Sequence, residues 1–197
     1  MLRRSKHTFT ITLLVLIVGT FFVGCSPIFV RWSELGPIAT AFFRVMLAFP
    51  LFAGIYLWEI KFNFTEILAL KLGFRDCAAI VLAGILFAGD LTFWHLSIVN
   101  TSIANATFLA TLAPIYVTLG LFLLYGEKPK KIFVLGMFLA CFGAVLLIGD
   151  SFSIKPQNLE GDLYGIVTGM FFGAYILAIR RARLRQSTAL VMTWSTL

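Results

Sequence analysis

Charged side chains are scarce in this sequence. Asp, Glu, Lys and Arg together make up only 13% of the 197 residues, whereas 60% are hydrophobic. Soluble domains are about 25% charged and roughly 45–50% apolar, so the composition excludes an ordinary soluble protein. Intrinsic disorder is excluded as well, because it needs low hydrophobicity. The mean hydropathy of +0.96 indicates instead a protein that crosses a membrane several times.

Residues and motifs that carry enzyme or metal chemistry are also few. The three cysteines have no CxxC spacing, and the two histidines form no HExxH motif. GxSxG and glycine-rich phosphate loops are missing too. The sequence therefore predicts no disulfide framework, no metal site, no cofactor and no catalytic residues, and gives no positive support to an enzyme.

Long apolar runs are what the sequence has instead. About 20 apolar residues suffice for one membrane-spanning helix, and these runs are continuous rather than alternating, so they predict helices and not barrel strands. The expected fold is an all-α polytopic membrane protein with six complete spans and part of a seventh that starts near Ser187. The six spans are predicted near residues 9–30, 38–58, 77–97, 103–125, 132–149 and 162–179.

The basic residues indicate an orientation. Thirteen of the 16 lie on one side of the predicted membrane, within residues 3–6, 61–75, 128–131 and 180–185. This is the positive-inside pattern, and it predicts a cytoplasmic N-terminus. The net charge of +7 is thus explained by topology, so nucleic acid is not an expected partner. The expected partner is the lipid bilayer, with its anionic lipids.

A few polar residues fall inside predicted spans, where they are costly and therefore informative. Arg44 and Asp90 lie at similar depths with opposite charges, which predicts an ion pair; the alternative is that each is solvated separately. Trp94 is one helical turn from Asp90 and shares its face. His95 is interpreted as a hydrogen-bonded interface residue rather than a proton carrier, and Asn105 as a polar packing residue. The five are candidates for a substrate pathway.

Two further features concern the helices themselves. Gly165, Gly169 and Gly173 form a GxxxGxxxG series, which predicts a close helix–helix contact. Pro114 lies in the middle of the fourth span and is a candidate hinge, because proline removes a backbone donor and permits bending.

A weak internal repeat is visible at an offset of 150 residues. Gly19 aligns with Gly169, Phe21–Phe22 with Phe171–Phe172, and Arg31 with Arg181. Five predicted spans separate the two copies, so the second copy runs through the membrane in the opposite direction. Inverted-topology repeats are typical of many secondary transporters.

Several motifs in order resemble a known family. The strongest is residues 104–114 (ANATFLATLAP), followed by Gly126-Glu127, Gly136 and residues 143–149 (GAVLLIG). Trp94-His95, residues 100–102, Pro37, Arg44 and residues 161–163 (GDL) fit the same pattern. The chain is identified on these grounds as resembling the EamA-type transporters of the drug/metabolite transporter superfamily.

The resemblance implies ten helices in two inverted five-helix halves around a central cavity. Residues 9–149 would be the first EamA-type repeat and residues 162–197 the incomplete start of the second, so we expect a C-terminally truncated chain. The implied function is a secondary transporter of the bacterial inner membrane, a permease, exporter or exchanger of small metabolites such as amino acids or drugs. Alternating access, with proton or exchange coupling, is the implied mechanism.

Glu127 resembles a glutamate of the family, and we expect it to be structural, capping helix ends or pairing with a nearby Lys or Arg. A dimer, or a separate C-terminal half, is the expected protein partner. The alternatives are a non-transporting truncated subunit or fragment and, third, a membrane-embedded enzyme.

Overall fold

The computed structural model describes residues 2–69, 73–148, 155–183 and 186–196. These residues form helices and their connections, with no strand among them. In chain order the helices are α1 (Leu2–Trp32), α2 (Pro37–Ala69), α3 (Phe74–Asn100), α4 (Ile103–Thr111), α5 (Ala113–Tyr125), α6 (Lys131–Ile148), α7 (Leu159–Ala182) and α8 (Thr188–Ser195), and a 3-10 turn at Pro156–Asn158 leads into α7.

Five segments are long and apolar enough to cross a membrane. They are Phe9–Trp32, Pro37–Lys61, Asp76–Asn100, Ile103–Tyr125 and Pro156–Ala182. The fifth predicted span, near 132–149, corresponds to α6, whose described apolar part, Lys131–Leu146, is shorter; Gly149, at the end of that prediction, lies outside the described residues. The partial seventh span corresponds to α8. The predicted class, an all-helical polytopic membrane protein, is confirmed.

Helix α2 is longer than predicted. The span near 38–58 continues as helix to Ala69, because no proline or glycine interrupts the sequence between Gly54 and Gly73. The polar residues of this stretch shorten the apolar run without breaking the backbone hydrogen bonds. Most of the stretch between the second and third predicted spans is therefore helical.

The fourth predicted span is divided into α4 and α5 at Leu112. The Leu112 N–H bonds back to Leu109, and the Ile115 N–H bonds to Leu112 rather than to the carbonyl four residues earlier. Pro114 causes this local tightening, because it has no N–H and its ring crowds the carbonyl of Ala110. The break therefore sits close to the middle of the Ile103–Tyr125 segment.

The helices run alternately between two ends of the bundle. At the end called here the Asp162 end, the Arg31 guanidinium at the end of α1 bonds to carbonyls at the end of α3, and Ser97 of α3 bonds to Gly161 at the start of α7. At the opposite end, called here the Glu127 end, the chain after α5 meets the end of α7. Helices α1 and α7, five spans apart, thus run in opposite directions.

Helix α7 lies at the centre of the packing and contacts α3, α4 and α5. A side-chain Cβ on Gly161 would lie 2.4 Å from the Asn100 carbonyl carbon, one on Gly169 would lie 3.0 Å from the Leu109 oxygen, and one on Gly173 would lie 2.8 Å from Tyr116 Cβ. Gly165 faces Leu109 and Ser97 in the same way. These glycines let the backbone of α7 approach its neighbours more closely than any other residue would.

Candidate functional site

A group of polar and aromatic side chains lies within the spans on α2 and α3. The Asp90 side chain, on α3, is buried, with only 8% of its surface exposed. Arg44 of α2 places its guanidinium carbon 5.3 Å from the ring centroid of Trp94, one turn along α3 from Asp90. A guanidinium at this distance is attracted by the negative face of the indole ring. Two spans therefore contribute to one intramembrane cluster.

The predicted ion pair between Arg44 and Asp90 is not formed as a direct contact. Among the described side chains, the ion pair within 4.0 Å is Arg180–Glu127. Arg44 packs on Trp94 instead.

His95 is fully buried beside this cluster. Its Nδ1 lies 2.6 Å from the Leu91 carbonyl oxygen, and its ring meets Trp94 edge to face with 5.2 Å between the ring centroids. Because a carbonyl only accepts, Nδ1 carries the proton, and Nε2 of the neutral ring is an acceptor. Nε2 has no hydrogen-bond partner within the described part of the chain. This buried acceptor is therefore unsatisfied within the described residues.

Asn105 belongs to a different group, at the Asp162 end. Its Nδ2 donates to Asp162 Oδ1 at 3.0 Å, and the Thr101 hydroxyl donates to the same oxygen at 2.7 Å. Arg31 donates to the Thr101 carbonyl at 2.7 Å. We call Arg31, Ser97, Thr101, Asn105 and Asp162 the Asp162 junction. It joins α1, α3 and α4 to the first turn of α7, so Asn105 is bonded across helices and lies outside the Arg44–Asp90 cluster.

At the other end, Glu127 accepts two hydrogen bonds from the Arg180 guanidinium, at 2.9 and 3.3 Å. Both side chains are about half exposed, at 48% each, and the guanidinium also lies over the Tyr125 ring. This pair ties the chain after α5 to the last turn of α7. Glu127 and Asp90 are at different levels of the bundle and do not form one site.

A groove of about 570 Å³ opens between α2 and α8 near the Glu127 end. Within it, Glu59 accepts a hydrogen bond from Ser187 at 2.9 Å, which fixes the start of α8 against α2. The remaining lining is largely apolar: Phe52, Ile55, Trp58, Thr188, Ala189 and Met192.

Several residues of these sites were not anticipated from the sequence. Tyr175 of α7 stacks on Phe87 of α3, with 5.0 Å between the ring centroids. In a chain with 21 phenylalanines and five tyrosines, nothing local distinguishes Tyr175. Asp162 had one signal, its place in the first turn of a helix beside a glycine, but the sequence alone does not identify its partners.

The described residues contain no group of three or more His, Cys, Asp or Glu side chains arranged to hold a metal ion. The polar groups present are suited to hydrogen bonding and charge recognition of a solute. A carboxylate, a guanidinium and a free imidazole acceptor lie together in an otherwise apolar and aromatic environment.

Comparison with known proteins adds a family to this geometry. The model of the EamA-like transporter family matches residues 10–149, more than two thirds of the chain. No curated protein and no solved structure matches the chain. The match spans α1 to α6, including Arg44, Asp90 and the α4–α5 break. The chain is therefore a multi-pass membrane protein and belongs to the EamA-like transporter family, a transporter family of the drug/metabolite type.

Proposed function

We propose that this protein takes part in secondary transport of a small polar metabolite, such as an amino acid or a drug, across the bacterial inner membrane. The observation that carries the proposal is the buried Asp90 carboxylate, which lies inside a membrane span close to Arg44, Trp94 and His95. Charged groups in spans are costly and mark solute or ion pathways far more often than they serve packing alone.

The orientation proposed is the Glu127 end in the cytoplasm. Lys128, Lys130 and Lys131 follow α5 there, and Arg180 and Arg181 end α7. The Asp162 end has the acidic residues Glu34, Glu160 and Asp162. This asymmetry supports a cytoplasmic N-terminus by the positive-inside rule.

Alternating access is the proposed mechanism, with the Asp162 junction as the outer closure. Its hydrogen bonds join α1, α3 and α4 of the proposed first repeat to α7 of the proposed second repeat. Rocking of one repeat against the other would break these bonds and open the pathway to the outside. Asp90, together with the free Nε2 of His95, is the proposed site of solute recognition and of proton or exchange coupling.

Transport is tested by reconstituting the full chain in proteoliposomes and measuring uptake or exchange of labelled amino acids and cationic dyes. Asp90→Asn removes the charge and nearly preserves the shape of the side chain, so we expect it to reduce flux by roughly tenfold or more, the loss of one charge-assisted contact. Thr92→Ala is the matched control. It lies on the same helix, and its hydroxyl donates only to the Ala88 carbonyl one turn earlier.

The outcomes separate cleanly. Flux in the wild type and in Thr92→Ala, but not in Asp90→Asn, supports the proposal. Flux that Asp90→Asn leaves unchanged removes Asp90 from the pathway, and a wild-type chain that inserts correctly but moves none of the solutes contradicts the transport proposal.

A further inference from the structure

One corner of the Glu127 end carries a concentration of positive charge that the transport site does not use. Glu127 and Arg180 pair there at 2.9 Å, which brings the connection between α5 and α6 against the end of α7. Five further cations lie in these two segments, and all are exposed: Lys128, Lys130, Lys131, Arg181 and Arg183. We call these five the basic corner.

The basic corner has no internal compensation. The one carboxylate in the two segments, Glu127, is already bonded twice by Arg180. None of the five cations has an acidic partner within 4.0 Å in the ranges that the structure describes. Their charges repel one another, so the fold gains nothing from holding them together.

Two of these lysines also lie at the less favourable end of a helix. The carbonyl of Lys130 accepts the Phe133 and Val134 N–H groups, which makes Lys130 the N-cap of α6, and Lys131 is its first residue. The start of a helix carries partial positive charge and favours anions, whereas an ammonium group is repelled and has no acceptor for the first-turn N–H groups. Arg181 and Arg183 lie at the end of α7, where the partial negative charge of the helix favours cations. An anion bound at this corner would offset part of the repulsion among these cations.

The corner is held in a defined shape. Gly126 adopts φ +67° and ends α5 in a left-handed turn, and Pro129 fixes the backbone between Lys128 and Lys130. Tyr125, at the end of a membrane-spanning segment, carries the Arg180 guanidinium on its ring. Tyrosine at a span end typically lies at the level of the lipid headgroups.

We propose that the basic corner binds the phosphate headgroup of an anionic glycerophospholipid. Clusters of Lys and Arg at the cytoplasmic ends of spans recognise such headgroups, whereas zwitterionic headgroups offer no net charge to them. At the opposite end of the bundle, Arg31 is bonded to carbonyls at the end of α3 and its neighbours are acidic, so the described residues there form no equivalent cluster of free cations.

The test measures lipid binding by the purified full chain in detergent, by native mass spectrometry and by the thermal unfolding midpoint, with phosphatidylglycerol against phosphatidylcholine. We expect phosphatidylglycerol to be bound in preference and to raise the midpoint. The triple variant Lys128→Gln, Lys130→Gln, Lys131→Gln should lose this preference by roughly tenfold, because each cation near the surface contributes to attraction of the anion.

Two controls make the result specific. Lys155→Gln removes an exposed lysine near the Asp162 end and should keep the preference, and the triple Lys→Arg variant should keep it as well. If the triple Gln variant does not fold, Lys130→Gln alone is measured, and it should lose part of the preference for phosphatidylglycerol. Equal binding of both lipids, or an unchanged preference in a folded Gln variant, overturns the proposal. If inorganic phosphate raises the unfolding midpoint by as much as phosphatidylglycerol does, the corner is a site for free anions, and the proposal is overturned too. None of these readouts requires transport.

Discussion

Helices α1 and α7 are both long enough to cross a membrane, yet they pack in opposite ways. The membrane-spanning part of α1 has the higher mean hydropathy, 2.5 against 1.6, but only 11% of it is buried in the structure, compared with 28% for α7. The more apolar helix is thus the more exposed one. In a bilayer this is expected, because lipid tails are as apolar as leucine and apolar side chains gain little by leaving them.

Glycine position explains much of the difference. A Cβ added at Gly19 or Gly24 of α1 would meet nothing within 4 Å, whereas one added at Gly161 of α7 would lie 2.4 Å from backbone. The polar groups differ less sharply, because Arg31, at the end of α1, also bonds to carbonyls at the end of α3. The Thr20 hydroxyl of α1 bonds to its own helix, while Asp162 of α7 bonds to two residues of other segments.

The largest effect is expected at the closest glycine contact. Gly161→Ala forces a methyl group into the Asn100–Thr101 backbone, which has no flexible end to move away, and should lower the free energy of unfolding by about 3 kcal/mol, as overpacking does. Unfolding in a denaturing detergent, followed by circular dichroism, measures the change. The matched variant on α1, Gly19→Ala, should be neutral or stabilising by up to about 1 kcal/mol, because alanine favours the helix. Equal effects of the two variants would contradict the comparison.

A smaller effect is expected from the polar contacts. Asp162→Ala leaves the Thr101 hydroxyl and the Asn105 amide without their shared acceptor, and we expect a loss of about 2 kcal/mol in stability. Asp162→Asn retains an acceptor oxygen and should lose less. The corresponding change on α1, Thr20→Ala, removes a bond within one helix and should be close to neutral in the same unfolding assay. A harmless Asp162→Ala would mean that the Asp162 junction contributes little to helix association.

The smallest effect is expected at the exposed end of α7. Arg180→Gln breaks the bond to Glu127, but both side chains are half exposed and screened by water, and such pairs contribute little. The unfolding midpoint should not move beyond experimental error at moderate salt. A large shift would show that α7 is held at both ends and not mainly along its glycine face.

Much of the fold could be predicted, because membrane crossing depends on local composition. Long apolar runs and the scarcity of charge were sufficient for the helical membrane class. The predicted helix boundaries were less accurate where polar residues continue a helix, as at the end of α2. The GxxxGxxxG series identified one face of α7, but sequence spacing does not say which helices that face meets.

The candidate site was harder to predict, because its contacts join residues far apart in sequence. Arg44 and Asp90 were recognised from their cost in the membrane, but the preference of the guanidinium for the Trp94 ring depends on side-chain geometry that depth alone does not give. Arg31 was noted in the sequence only as the repeat counterpart of Arg181, whereas it bonds to carbonyls at the end of α3. Asp162 and Tyr175 acquire their roles from helices α3 and α4, which no local pattern reveals.

The break at Leu112 gives the middle of the Ile103–Tyr125 span an electrical character of its own. The carbonyl end of α4 and the amide end of α5 meet there, and because their partial charges have opposite signs at adjacent positions, they form a local main-chain dipole. These two opposed partial charges belong to the main chain and cannot gain or lose a proton. Unlike the Asp90 carboxylate, they remain the same at every pH at which the protein is folded.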